Sequence, residues 1–477
     1  MSFQRWCFLI AAVVYVTAAW FGVGYSAEDE FQQVILYAEH LRGHVDVSAL
    51  PLDYHQQWRS MVLPLICTGV FKVCALVGIT DPFILTLMLR LLTAALALWI
   101  TNRFIRSVLP TLHADHTQAF TLFSWFLWFV PLLQIRFSGE TWSGLLFLHA
   151  LGMIMDDKRR NPLVIGSLFA LVIVLRPAAG FLPFGAMLWM LLIKRSGRTQ
   201  MLRMIGAGVV VLITSAVLDS VVYGKATSTL WNYATAGITG EEAVRFTALP
   251  MYQYVLFTVK YATVPIGVLL ITAFTCLIAL RPKHVLIWVL LPFLIIHSIL
   301  PVKELRFLFP LAPLMPWLLI SAWEALHDRW PVLMSRTIWL RALFFFAAVN
   351  VLALLVGITT PAGNGRIALA REARDHFKNR SVHVDILGDW RMWIPPFYLS
   401  TGSTEVFSEK IIVNPKVNGP THLVIARRSE GLDRVTNLER LAIATPRWAD
   451  QLLTWYHLED QYDPLVLYRV TTEHIGH

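Results

Sequence analysis

Residues 61–79 read MVLPLICTGVFKVCALVGI, an apolar run of nearly the length needed to cross a lipid bilayer. Pro64 and Lys72 both fall inside it, and a lysine at the centre of a span costs about 2.5–3.5 kcal/mol on insertion scales. How this run is read fixes the sidedness of everything after it. If it crosses, either the 25–60 loop and the Arg136 loop lie on opposite sides, or Arg103 and Arg106 face outward. If it lies along the outer interface, the charge pattern is consistent along the chain. We read it as an interfacial helix; the alternative is an ordinary span with a snorkelling lysine.

Composition places most of the remaining chain in lipid. Of 477 residues, 56% are hydrophobic and 15% charged, against roughly 25% charged in ordinary globular chains, and the mean hydropathy is +0.58. Apolar windows fall at 6–24, 84–104, 118–134, 141–156, 162–175, 178–193, 202–222, 255–280, 284–300, 305–323 and 338–358, which predicts a polytopic α-helical membrane protein of about eleven spans. The first window is read as a retained anchor, because its apolar run is long for a cleaved signal peptide.

The net charge of +9 suggests nucleic acid only if the cations share a solvated face. They do not. Arg103 with Arg106, Lys158-Arg159-Arg160, Lys194-Arg195 with Arg198 and Arg203, Arg281 with Lys283, and Arg329 with Arg336 and Arg341 mark alternate connections, which the positive-inside rule assigns to the cytoplasm. Nucleic acid is excluded as a partner; the lipid membrane is one.

From about residue 359 the apolar runs shorten to strand length, as in 382–387, 422–426 and 465–470. The expected organisation is a membrane domain over 1–358, with a first outer loop at 25–82, and a soluble exoplasmic α/β domain over 359–477. The four cysteines, Cys7, Cys67, Cys74 and Cys276, lie in apolar runs without CxxC spacing, so packing explains them better than metal or redox chemistry. HExxH is absent, as is DxD in the outer loops, and no metal is expected. Asn379-Arg380-Ser381 has the form of a glycosylation sequon and is read as a chance match.

The outer face carries few charges. Glu28-Asp29-Glu30 opens the first loop, and Arg136, Arg176, Lys303 and Arg306 stand in later ones. The carboxylates fit either a solvated boundary or a base that takes a proton from an acceptor hydroxyl. Lys303 and Arg306, three apart and so on one side of a helical turn, fit either an interface anchor or a pair of phosphate ligands.

In chain order, Asp29-Glu30, Arg136 with Ser138 and Glu140, Arg176-Pro177, Asp219-Ser220-Val221-Val222-Tyr223-Gly224, and His297-Ser298 followed by Val302-Lys303-Glu304-Leu305-Arg306-Phe307-Leu308-Phe309-Pro310 resemble the family 22 glycosyltransferases. These are the mannosyltransferases of GPI-anchor and N-glycan assembly and their bacterial relatives. The resemblance runs from about residue 25 to 315. It implies a GT-C fold with interfacial helices in the first outer loop. It also implies a polyprenyl-phosphate sugar donor, such as dolichyl-phosphate mannose, and inverting transfer to a glycan or glycolipid hydroxyl on the exoplasmic side. The membrane would be the plasma (inner) membrane of a bacterium or the endoplasmic reticulum of a eukaryote.

By position, the resemblance makes Asp29 the base, with Glu30 second. It gives Lys303, Arg306 and Arg176 to the donor phosphate, and Arg136, Glu140, Glu304, Asp219 and Tyr223 to the sugar or acceptor pocket. No cofactor beyond the lipid-linked sugar is implied. The chain departs from the family at Val302, where the pattern has histidine, and in its acidic loop and the 243–254 loop. A GT-C transferase of another lipid-linked sugar and a secondary transporter are the alternatives. The transporter fits less well, because the charges gather at span ends and no repeat is evident.

Overall fold

A computed structural model describes residues 2–156, 160–239, 249–334, 337–363, 365–378, 380–388, 393–399, 402–408, 422–434, 437–455 and 464–471. Asp157, Lys158, Arg159 and Arg336 of the inner loops, residues 243–248 and the sequon asparagine Asn379 lie outside these. The chain divides into two compact units. Met1–Ala18, Ala27–Val73 and Leu89–Ile358 make up the first; Ala19–Ser26, Cys74–Met88 and Thr359–His477 make up the second.

The first unit is helical, as it must be if its apolar runs are to satisfy their own backbone groups in lipid. Phe3–Phe21, Pro82–Thr111, Arg198–Tyr223, Leu305–Arg329 and Arg341–Thr359 are each long and apolar enough to cross a membrane. Val264–Leu280 and Val285–Ile299 pass that test only together, with a bend of 119° between them. Val62–Leu76, Pro162–Leu175 and Pro177–Leu192 are shorter apolar helices. Counting windows treats every apolar run as whole, whereas the structure breaks several. The 118–134 run becomes Thr117–Phe126 and Phe129–Gln134. The 255–280 run becomes Gln253–Tyr261 and Val264–Leu280, parted at Thr263, whose φ is 66°.

The decisive run 61–79 forms the helix Val62–Leu76. Its 15 residues extend about 22 Å at 1.5 Å per residue, short of the roughly 30 Å hydrocarbon core. Lys72 is exposed on it beside Val73, and Leu76 and Val77 are exposed near its end. Such a helix is suited to lying in an interface rather than crossing.

Glycine lets the helices of the first unit meet backbone to backbone, the usual packing device where lipid removes the hydrophobic drive. A Cβ on Gly139 would lie 2.7 Å from the Leu175 carbonyl oxygen, and one on Gly144 would lie 2.8 Å from that of Pro310. The start of the helix Gly139–Met155 is thereby held against the end of Pro162–Leu175 and against the 3-10 helix Leu305–Leu314.

The second unit contains a five-stranded mixed sheet: β1 His383–Leu387, β2 Thr404–Ser408, β3 His422–Arg427, β4 Leu438–Ile443 and β5 Leu465–Val470, in the order β2-β1-β3-β5-β4. β1 pairs in parallel with β2 and β3, while β5 pairs antiparallel with β3 and β4. Leu387, Val424, Ala426, Leu432, Val466 and Tyr468 form its core. All four cysteines are free thiols, three of them buried.

Replacing Gly144 with alanine forces three backbone atoms of Pro310 to shift. We expect a loss of about 1–3 kcal/mol, measured as a lower unfolding temperature in detergent. Gly206→Ala, with nothing within 4 Å of the new Cβ, should show no such loss.

Candidate active site

Asp29 and Glu30 are both buried, in the loop that follows the first helix. Directly after them the chain makes a π-helical turn, Phe31–Ile35, a rare conformation that is frequent at functional sites. Arg176 is brought to the same place by local chain chemistry. It caps the helix Pro162–Leu175 in an extended conformation, which the following Pro177 favours by excluding the helical region. Glu140 stands in the first turn of Gly139–Met155, where a carboxylate is favoured by the helix dipole. Ser138 caps that helix, its Oγ accepting from the Thr141 N–H at 3.2 Å. Arg136, two residues earlier, is buried as well.

Asp29, Glu140, Glu304, Arg176 and Arg306 form one ionic cluster. Arg306 pairs directly with the Asp29 carboxylate and also donates to Glu304 at 2.9 Å. Arg176 stands 3.7 Å from the same Asp29 oxygen and 3.3 Å from Glu140. The Phe307 ring serves both cations, with the Arg176 guanidinium 5.2 Å and that of Arg306 5.6 Å from its centroid, a cation–π arrangement. Burial pushes the Asp29 carboxyl up, but Arg306, Arg59 and Arg176 outweigh it and hold the group at about 2.

Lys303, Asp219 and Tyr223 make their hydrogen bonds outside this ionic cluster. Residues 302–304 lie outside any helix, and Glu304 is extended at φ −128° and ψ 147°, so Lys303 does not share a helical turn with Arg306. The Lys303 side chain instead donates to the carbonyls of Leu249 (2.8 Å) and Leu300 (2.5 Å), and burial lowers its pKa. Asp219 and Tyr223 fasten the first outer loop by their contacts. The fully buried Asp219 carboxylate accepts from the Met61 N–H at 2.8 Å, the Ser60 hydroxyl at 3.0 Å and the Thr229 hydroxyl at 2.9 Å. The Tyr223 hydroxyl donates to the Arg59 carbonyl at 2.8 Å. His297 is stacked on Phe293 with centroids 3.9 Å apart and meets Phe307 at 6.0 Å, so it supports the aromatic shelf.

The profile of the Alg9-like mannosyltransferase family matches residues 6–396. This chain belongs to that family. The assignment agrees with the glycosyltransferase resemblance in the sequence and sets the transporter alternative aside. Two curated relatives, the GPI alpha-1,2-mannosyltransferase 3 of Homo sapiens and that of Bos taurus, are each 22% identical. The human match covers 60% of this chain and 51% of the relative, and the bovine match covers 55% and 49%. The chain thus spans about half the length of the curated relatives it matches.

ArnT from Cupriavidus metallidurans, solved with undecaprenyl phosphate, matches with a TM-score of 0.53 at 11% identity over 98% of both chains. Its apo form gives 0.51 at 12% identity over 97% of both. The Alg9-like family member therefore has the GT-C fold and is an integral membrane protein. Its shared fold extends well beyond the 25–315 region in which the motifs were legible. Phe307 and the Glu304–Arg306 pairing are the site features that sequence reasoning missed as contacts. The Glu304-Leu305-Arg306-Phe307 string already held them.

The ion pairs keep Asp29 at about 2 instead of 3.8, so the stability they add is fully present above about pH 4 and is lost as pH falls through about 2. Acid titration in detergent should therefore lose an unfolding phase in that window when Asp29 is replaced by asparagine. Asp219→Ala strands three buried or half-buried donors and should cost at least about 1–3 kcal/mol. That loss should appear as early proteolysis of the first outer loop.

Proposed function

We propose that this chain is an inverting glycosyltransferase of the membrane surface. It moves a mannose-type sugar from a polyprenyl-phosphate donor to a hydroxyl of a glycan or glycolipid on the exoplasmic face. One observation carries the reading: a buried carboxylate after the first helix is paired with two arginines drawn from distant segments. Transfer needs a base at the acceptor oxygen and cations at the departing phosphate, and the cluster contains both kinds of group. Family membership supports the sugar, and the lipid phosphate held by the fold neighbour ArnT supports the donor class.

Asp29 takes the proton of the acceptor hydroxyl while that oxygen attacks the anomeric carbon from the side opposite the phosphate. The bond from this carbon to the phosphate oxygen breaks, its electron pair leaves with the phosphate, and the configuration inverts. Arg306 and Arg176 receive the phosphate oxygens through their planar forks. Lys303 joins them by giving up the two carbonyls it now holds. Glu30 is the second candidate base, while Arg136, Glu140 and Glu304 border the sugar and acceptor.

A carboxyl group held at about 2 is a poor base at neutral pH. The arginines cannot serve Asp29 and a phosphate at full strength together. Donor binding draws them toward the phosphate and raises the proton affinity of Asp29, so the base is armed only when a leaving group is in place.

The test is incubation of the purified protein with polyprenyl-phosphate mannose and a panel of acceptors. Asp29→Asn should remain folded, since Glu140 and Glu304 still face the arginines, and should lower transfer by about 10²–10⁴. Near-normal turnover would remove Asp29 from the base role. Lys303→Ala should weaken use of the donor more than use of the acceptor. Turnover with a different lipid-linked sugar and none with mannose would keep the mechanism and change the substrate.

A further inference from the structure

The sheet of the second unit carries a group of side chains that glycosyl transfer does not use. His383 and Asp385 are two apart on β1, so they share one face of the sheet. In the parallel register, His383 stands opposite His422 on β3 and opposite Thr404 on β2. Thr404, His383 and His422 therefore form a row across three strands, with Asp385 one step along.

The side chains converge. The His383 Nε2 is 3.2 Å from one Asp385 carboxylate oxygen, and the His422 Nε2 is 2.5 Å from the other. The two imidazole rings are 5.1 Å apart at an angle of 66°. His422 is buried, while His383 and Asp385 are partly open. Among the described residues, no lysine or arginine pairs with Asp385.

We propose that His383, Asp385 and His422 bind a divalent transition metal, zinc above all. Two imidazole nitrogens and a carboxylate are a zinc donor set that leaves a fourth position open. In a tetrahedral zinc site, neighbouring donors with bonds of 2.0–2.1 Å stand about 3.3 Å apart, close to the His383–Asp385 separation, while the His422–Asp385 hydrogen bond of 2.5 Å has to open by less than about 1 Å to admit the metal. A second observation points the same way. The other ring nitrogen of His383, Nδ1, is 2.6 Å from the Thr404 hydroxyl, an oxygen placed where the outer-shell hydrogen bond of a ligating histidine is made.

The remaining histidine and carboxylate clusters, His113 with His116 and Glu324 and His113 with His327 and Asp328, lack this character. Arg281 already pairs with both Glu324 and Asp328, putting a cation where a metal would sit. Spacing motifs overlooked the β1–β3 site because its ligands come from two strands, with Asp385 and His422 separated by 37 positions. Metal bound there ties β1 to β3, since a site absent from the unfolded chain converts binding energy into folding energy.

The test uses the full chain in detergent, with any affinity tag removed, stripped with a chelator and titrated with zinc against a chromogenic indicator. One zinc per chain is expected, with an upward shift in unfolding temperature. Asp385→Asn and His422→Ala should each weaken binding by about 100-fold or more, and Thr404→Val, which leaves all three ligands in place, by about 10-fold. His116→Ala should leave zinc binding unchanged. Cobalt in place of zinc should give the visible absorption of a tetrahedral nitrogen and oxygen site. Failure of the wild-type chain to bind zinc would overturn the proposal. So would Asp385→Asn and Thr404→Val variants that bind as the wild type does.

Discussion

A guanidinium taken out of water is tolerated only when carboxylates face it, because removing one partner of such a pair costs about 3–5 kcal/mol. Arg176 is buried and the Arg306 side chain is only 14% exposed, so Asp29, Glu140 and Glu304 have to converge on them. That requirement reaches far into the first unit. It fixes where the loop after Phe3–Phe21 turns back, and it fixes the approach of Gly139–Met155 to the end of Pro162–Leu175. The glycine contacts at Gly139 and Gly144 make this approach possible. The site is thus part of what holds these helices in register, and a change of occupant at the arginines is felt by the packing around them.

Much of this architecture was legible because lipid simplifies the rules. The window at 162–175 coincides with its helix, and strands were read at 382–387, 422–426 and 465–470 because apolar runs of that length have little else to become. The broken runs were less legible. Nothing in the composition of 255–280 announces that Thr263 adopts a positive φ. β4 was missed because it reads Leu-Glu-Arg-Leu-Ala-Ile, too polar at its start to stand out. For the site, the charged residues were found from their sidedness and order, while their partners were not. That Lys303 turns to two carbonyls goes with a non-helical backbone at 302–304 and an extended Glu304, which the lysine–arginine spacing alone does not encode. That Asp219 caps the amides and hydroxyls of another segment is a tertiary fact carried by no local pattern.

The two units divide the chemistry by the kind of residue each can afford to bury. The first buries arginine and carboxylate in excess of ordinary cores and offsets them against each other. The second buries aliphatic residues in its sheet and sets its ion pairs, such as Arg428 with Asp450 and Arg469 with Glu439, at open or partly open positions. A family profile that stops at residue 396 leaves most of that sheet to be read from its own geometry.

The attachment of Met61 and Ser60 to Asp219 ties the first outer loop to a helix that is exposed along one face. Asp219 stands near the end of Arg198–Tyr223, whose exposed face carries Val209, Val210, Ile213, Val217 and Val221. The other face of this helix packs closely along Pro162–Leu175, where a Cβ on Gly166 would run into the Met204 carbonyl oxygen, and such packing sets a helix's tilt. The loop bearing Asp29 is hinged to Arg198–Tyr223 through Arg59, Ser60 and Met61. The placing of the carboxylate is therefore coupled to the seating of Arg198–Tyr223 on Pro162–Leu175, the helix whose C-terminal end presents Arg176.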